Sequence, residues 1–156
     1  MQNVVPMLAY EDGVAAMKWL ATAFDLTIKE QWLDDDGRLS FGELVHGEES
    51  ILVASPTADY QSPKTLRENY PPAAKWQEIP YILHGVLLYV DDVDAALQRA
   101  QDAGAKIPGP MEDGFPGRRF RAEDLEGHRR FPNHRALESP NANRAKQRLH
   151  GVRSNR

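Results

Sequence analysis

Four charged residues on two short strands carry the chemistry this sequence could perform. In RRFRAE (118–123), strand alternation puts Phe120 and Ala122 on one face and Arg119, Arg121 and Glu123 on the other. In RLSFGELV (38–45), the same alternation lines up Leu39, Phe41, Glu43 and Val45. A carboxylate in an apolar pocket has its pKa raised and exchanges protons near neutrality, which would make Glu43 or Glu123 a general base. Neighbouring arginines push the other way. The plainer reading is that these arginines and glutamates pair across strands near a rim. Burial decides between the two.

Other chemistries are poorly supplied. His84 starts a strand, His128 follows a turn and His46 sits in a loop. A lone histidine at a strand start more often bonds backbone or water than a ligand, so His84 and His128 are read as structural and His46 as an exposed loop residue. There is no cysteine, which excludes disulfides, thiolate metal sites and a cysteine nucleophile. No nucleophile–base pair, glycine-rich phosphate loop or nucleotide fingerprint is present, and Asp34-Asp35-Asp36-Gly37 lacks the spacing of a calcium loop. The formal net charge of −4 argues against nucleic acid as a partner. No stretch reads as a signal peptide or a membrane span, so a cytoplasmic protein is expected.

The elements that must position these residues recur. GVLLYV (85–90) reads as a strand, Asp91-Asp92 as a cap, 92–103 as a helix, and Gly104 as its stop. A weaker copy lies 80 residues earlier, matching Asp12 to Asp92 and Ala16 to Ala96. Around it, strand 3–10, helix 13–24 (stripe Val14, Met17, Leu20, Ala21, Phe24) and strands 26–33, 38–45 and 50–54 form a βαβββ module. The second module follows helix 92–103 with a short strand Lys106–Ile107, strand 118–123, the turn Asp124–Gly127 and a last strand 128–131. The expected fold class is α+β, one domain over 1–135: module one 3–54, a connection 55–82, module two 83–132. The proline-rich connection is expected to hold short helices near 64–69 and 72–77. Residues 136–156 form a basic tail expected to be solvated and to have little fixed structure.

The paired modules, YVDDVDAAL and GRRFRAEDLEGHRRF together resemble the vicinal-oxygen-chelate superfamily, the group of glyoxalases, bleomycin-resistance proteins and extradiol dioxygenases, over about residues 3–131. The resemblance implies a curved, barrel-like sheet around a small-molecule cavity, and a homodimer in which modules from two chains build each barrel. It also implies where metal-dependent relatives keep their ligands. Counting seven residues back from Asp12 and Asp92 gives Val5 and Gly85; counting seven on from Asp124 gives Phe131, and module symmetry gives Val53. None offers an oxygen, nitrogen or sulfur donor, so no metal or other cofactor is expected. A one-residue slip would bring His84 to the first position of module two.

In that fold the charged faces above become the concave one. The expected cavity is lined by Trp32, Phe41, Leu87 and Phe131, with Glu43, Tyr89, Arg119, Arg121 and Glu123 as its polar groups. The leading expectation is a metal-free protein that binds or sequesters a small organic ligand. The alternative is a glyoxalase- or dioxygenase-like enzyme with Glu43 or Glu123 as base; a third is an interaction domain using its dimer surface and tail. Relatives usually carry Trp where Arg130 stands. An arginine there must reach water or an acid, which predicts a last strand that is shorter or differently placed.

Overall fold

A computed structural model of the chain describes residues 4–79, 84–114 and 117–135. The tail expectation, at 136–156, lies outside these residues. Asp12 accepts a hydrogen bond from the Ala15 backbone N–H at 2.9 Å and so starts α1 (Gly13–Phe24). Asp92 does the same for α4 (Val93–Asp102), accepting from Asp94 and Ala95, and Gly104 follows in the left-handed conformation that ends it. The buried stripe of α1 is Ala16, Met17, Leu20, Ala23 and Phe24, with Val14 and Ala21 at its flanks.

The first sheet runs β1-β4-β3-β2, from β1 (Met7–Ala9), β2 (Thr27–Leu33), β3 (Leu39–His46) and β4 (Glu49–Ala54). β1 and β4 are parallel; the other pairs are antiparallel. The second sheet repeats this order. β5 (Gly85–Tyr89) lies parallel to β8 (Arg129–Arg135), and β6 (Gly117–Arg119) and β7 (Ala122–Glu123) lie antiparallel on its other side. The expected strand Lys106–Ile107 is reduced to single bridges, Lys106 to Glu123 and Glu112 to Arg119. The turn Pro108-Gly109-Pro110 between them cannot sustain a ladder.

The last strand is longer than expected: it passes through Pro132 to Arg135. Pro132 still accepts from the Phe120 N–H at 3.2 Å but has no N–H to return. The break between β6 and β7 falls opposite it, with the same register on both sides.

Helices α1 and α4 pack together beneath the two sheets, and Trp19 Nε1 donates to the Ala103 carbonyl at 2.7 Å. Buried apolar residues of both modules, from Met17, Leu44 and Val53 to Leu88, Ala100 and Phe120, form one cluster. The modules also meet through polar groups. Arg130, 1% exposed, pairs with Asp124 at 3.0 Å and donates to the Tyr10 hydroxyl, which in turn donates to Asp124 at 2.5 Å. The arginine that replaces an expected aromatic thus finds its acid inside the protein. The connection forms α2 (Pro63–Asn69) and α3 (Pro71–Trp76), close to expectation.

Candidate functional site

The convex side of the first sheet is covered by α1, and its concave side carries exposed side chains. Gly42, Leu44, Ile51 and Val53 face the helix and are buried. Trp32 and Phe41 are cross-strand partners on the other face, their ring centroids 5.1 Å apart. Trp32 remains 57% exposed and Met7, next to Leu52 in the ladder, 76%. Glu43 lies in the same row. Its carboxylate accepts from the Ser50 hydroxyl at 2.6 Å and from Lys29 at 3.0 Å, and these two bonds hold its pKa below the ordinary carboxylate range. Leu39, expected beside Phe41, is fully buried against Gly13 instead. The register shifts between Trp32 and Leu33, and that irregularity turns Leu39 into the core.

The second sheet carries Gly85, Leu87, Phe131, Arg121 and Glu123 on its concave face, while Phe120 and Ala122 sit in the core. Arg119 and Arg121 both reach Glu112, at 3.0 and 2.9 Å. They pair with neither Glu43 nor Glu123. Glu123 is 2% exposed and ringed by cations: Arg129 at 2.9 Å, Lys106 at 3.2 Å and Arg67 of α2 at 3.3 Å. Burial raises its pKa, but Arg67, Arg129 and Lys106 outweigh burial and leave it below the usual value. Both carboxylates are thus shifted away from the raised pKa that an apolar pocket gives a general base. Leu87 is 41% exposed, and Phe131 is buried beside it. Tyr89 is half-buried, and its backbone carbonyl accepts from His46 Nε2 at 3.0 Å. Trp32, Phe41 and Glu43 thus interact within the first sheet, and Arg121 and Glu123 within the second and with the connection.

The register also settles which positions correspond to the chelate. Met7 lies opposite Leu52 and Leu87 opposite Phe131, so Leu52, not Val53, matches Phe131. Val53 faces α1 and is 1% exposed. The error came from aligning the modules through turns of unequal length rather than through the parallel strand pair. The four positions are then Val5, Leu52, Gly85 and Phe131, and a side chain at Gly85 would overlap the Phe131 ring. These residues do not fit a divalent metal: none of the four side chains offers an oxygen, nitrogen or sulfur donor. Among the described residues no group of three or more His, Cys, Asp or Glu side chains is placed to hold a metal ion.

The partners of Glu123 were not foreseen. Arg129 had a signal: Asp124 N–H bonds the His128 carbonyl at 3.0 Å, closing a three-residue loop that ends in left-handed Gly127, and this sets Glu123 opposite Arg129. Arg67 had none, because its approach depends on how the connection folds back.

The sequence model described as Glyoxalase/Bleomycin resistance protein/Dioxygenase superfamily matches residues 4–130. Among solved structures, the chain is similar to TioX from Micromonospora sp. ML1, with 23% identity and TM-score 0.62 over 87% of this chain and 100% of that one. It is also similar to the fosfomycin resistance protein FosX from Listeria monocytogenes, solved as an E126Q mutant with Mn(II) and 1S,2S-dihydroxypropylphosphonic acid (13%, TM-score 0.60, 88% and 92% covered). FosX from Mesorhizobium loti is a further neighbour (13%, TM-score 0.57, 96% and 99%). At these identities the likeness is one of fold. Among curated proteins none matches.

Proposed function

The chain belongs to the Glyoxalase/Bleomycin resistance protein/Dioxygenase superfamily, and from that premise we propose that it binds or sequesters a small organic molecule on its concave sheet faces, without a divalent metal. The Trp32–Phe41 pair, with Trp32 57% exposed, carries the proposal. Large aromatic surface left open on a sheet face marks a place that works by being covered. An aromatic pair there offers a stacking platform to a flat or apolar ligand, and Glu43 and Ser50 supply polar contacts beside it.

The same surface supports a homodimer. Every residue of β2 is exposed, and Leu87 on the second sheet is open too. A second copy laid across these faces would turn two open half-cavities into closed ones. No described helix is long and apolar enough to cross a membrane. The enzymatic alternative asks Glu43 or Glu123 to act as base, and the cations and hydroxyl around them favour binding over catalysis.

Native mass spectrometry of protein purified from its source tests the reading. A retained organic mass on a dimer, with no stoichiometric metal by elemental analysis, is the expected result. One equivalent of tightly held manganese, nickel, zinc or iron per chain would overturn the metal-free proposal. A monomer at tens of micromolar by sedimentation would overturn the dimer.

A further inference from the structure

We propose that the connection forms an arch over the start of β5 and β8 that encloses a second binding site, for an uncharged planar aromatic molecule of one or two rings. The inference does not draw on ligand binding at the Trp32–Phe41 face.

The arch is pinned at both ends. At its beginning, Ser62 N–H donates to Glu11 at 2.7 Å and Lys64 N–H to the Glu126 carbonyl at 2.9 Å. Gly127 is required there, since it has φ +85° and a Cβ on it would stand 2.9 Å from Lys64 N. At its end, Arg129 donates to the Gln77 carbonyl at 2.6 Å, and Arg67 reaches Glu123. Between the pins the backbone stands off the sheet and leaves a cavity of about 240 Å³. Drug-sized ligands occupy pockets of roughly 300–1,000 Å³, so this one suits something smaller.

Its lining sets the ligand class. Three rings (Tyr60, His84 and His128) and two aliphatic side chains (Pro63 and Leu66) face the space. Flat surfaces of this kind stack or sandwich a ring. The one guanidinium present, Arg129, is already engaged by Glu123 and Gln77. His128 is 4% exposed; burial, opposed by Asp124 and aided by Arg130, lowers its pKa to about 4, so the ring is neutral at physiological pH. The deep end of the arch therefore offers an ion no counter-charge. Both ring nitrogens of His128 are sealed from solvent, so the ring lends the cavity its flat surface and no ionic contact. An uncharged aromatic frame answers this lining.

The test uses the full-length protein and indole as probe, followed by amide NMR. The expected result is saturable shifts at Leu66, Gly127 and His128, with benzoate binding at least tenfold more weakly. Leu66→Trp, which fills the arch, should weaken indole at least tenfold with the fold intact by circular dichroism. Trp32→Ala should leave indole affinity at the arch unchanged, which separates this site from the Trp32–Phe41 face. If Leu66→Trp does not fold, His84→Ala at the exposed mouth takes its place, with at least threefold weakening expected. No saturable shifts up to the solubility of indole, shifts confined to the Trp32–Phe41 face, or unchanged affinity in the arch variant would each overturn the proposal.

Discussion

Met7 and Leu52 of the first module correspond to Leu87 and Phe131 of the second, each pair facing across the parallel strand pair of its own module. Around the first pair the sheet face is open, apolar and lightly charged. Around the second, the connection folds back, Arg67 reaches into the sheet, and Glu123 becomes the centre of a buried cluster of charges. The helix-facing sides differ far less: Gly42, Leu44, Ile51 and Val53 in one module and Leu88, Phe120 and Ala122 in the other all join one core. A repeated module therefore repeats its packing face. Its other face is free to diverge, because no repeated element lies on it, and what does lie there is set by the segment between modules.

The largest break in this comparison should come from Arg130, which only the second module possesses; register places Ile51 at its counterpart. Arg130→Met leaves Asp124 buried and without its cation. Removing one partner of a buried pair costs about 3–5 kcal/mol. Urea unfolding should show a loss of that size. A loss under about 1 kcal/mol would mean that Tyr10 and the backbone N–H groups of Glu126 and His128 satisfy Asp124 unaided.

Next is the response to acid. The pKa of His128 is depressed by burial from 6.5 to about 4 in the folded protein. A depressed folded-state pKa means stability that is present above about pH 6.5 and lost as pH falls towards 4. The difference corresponds to about 3 kcal/mol at most. Glu126, whose carboxyl burial raises, works in the opposite sense, so the comparison must be made against His128→Phe. The unfolding free energy of wild type should fall relative to that of the variant as pH drops from 7 to 4; parallel profiles would exclude His128 as the source.

Glu123→Gln probes the charge cluster itself. Three cations lose their common carboxylate, and a stability loss of about 1–3 kcal/mol is expected. Amides of residues 63–77 should exchange faster, because α2 loses its Arg67 anchor, while those of the first sheet keep their protection. Uniform acceleration in both modules would show that the anchor stabilises the whole fold and not the connection.

How much of this could be read beforehand divides along the same line. The helices, their aspartate caps, the hairpins and the 80-residue offset were legible, because capping, alternation and glycine turns act over a few residues. The face assignments of Phe120, Ala122, Phe41 and Glu43 followed from period two. Leu39 was misplaced by a bulge, and Val53 by a turn-based alignment that the parallel β1–β4 register corrects. The strand end at Phe131 was misjudged because Pro132 looks like a terminator; it sits in a ladder that forgoes one bond. The Arg67–Glu123 contact and the arch depend on the path of the connection, which no local pattern encodes.

Trp32→Ala is the smallest structural change and the one that bears most directly on function. Trp32 is more than half exposed, its Nε1 donates to the exposed Glu30 of its own strand, and its ring packs against Phe41. The stability cost should be about 1 kcal/mol or less. If the open face is the binding surface, the organic molecule found on the native protein should bind at least tenfold more weakly to the variant, read by isothermal titration. If binding is unchanged while Glu123→Gln abolishes it, the functional surface is the second module's face under the connection. The open aromatic pair would then serve assembly alone, and the sedimentation profile of Trp32→Ala should shift toward monomer.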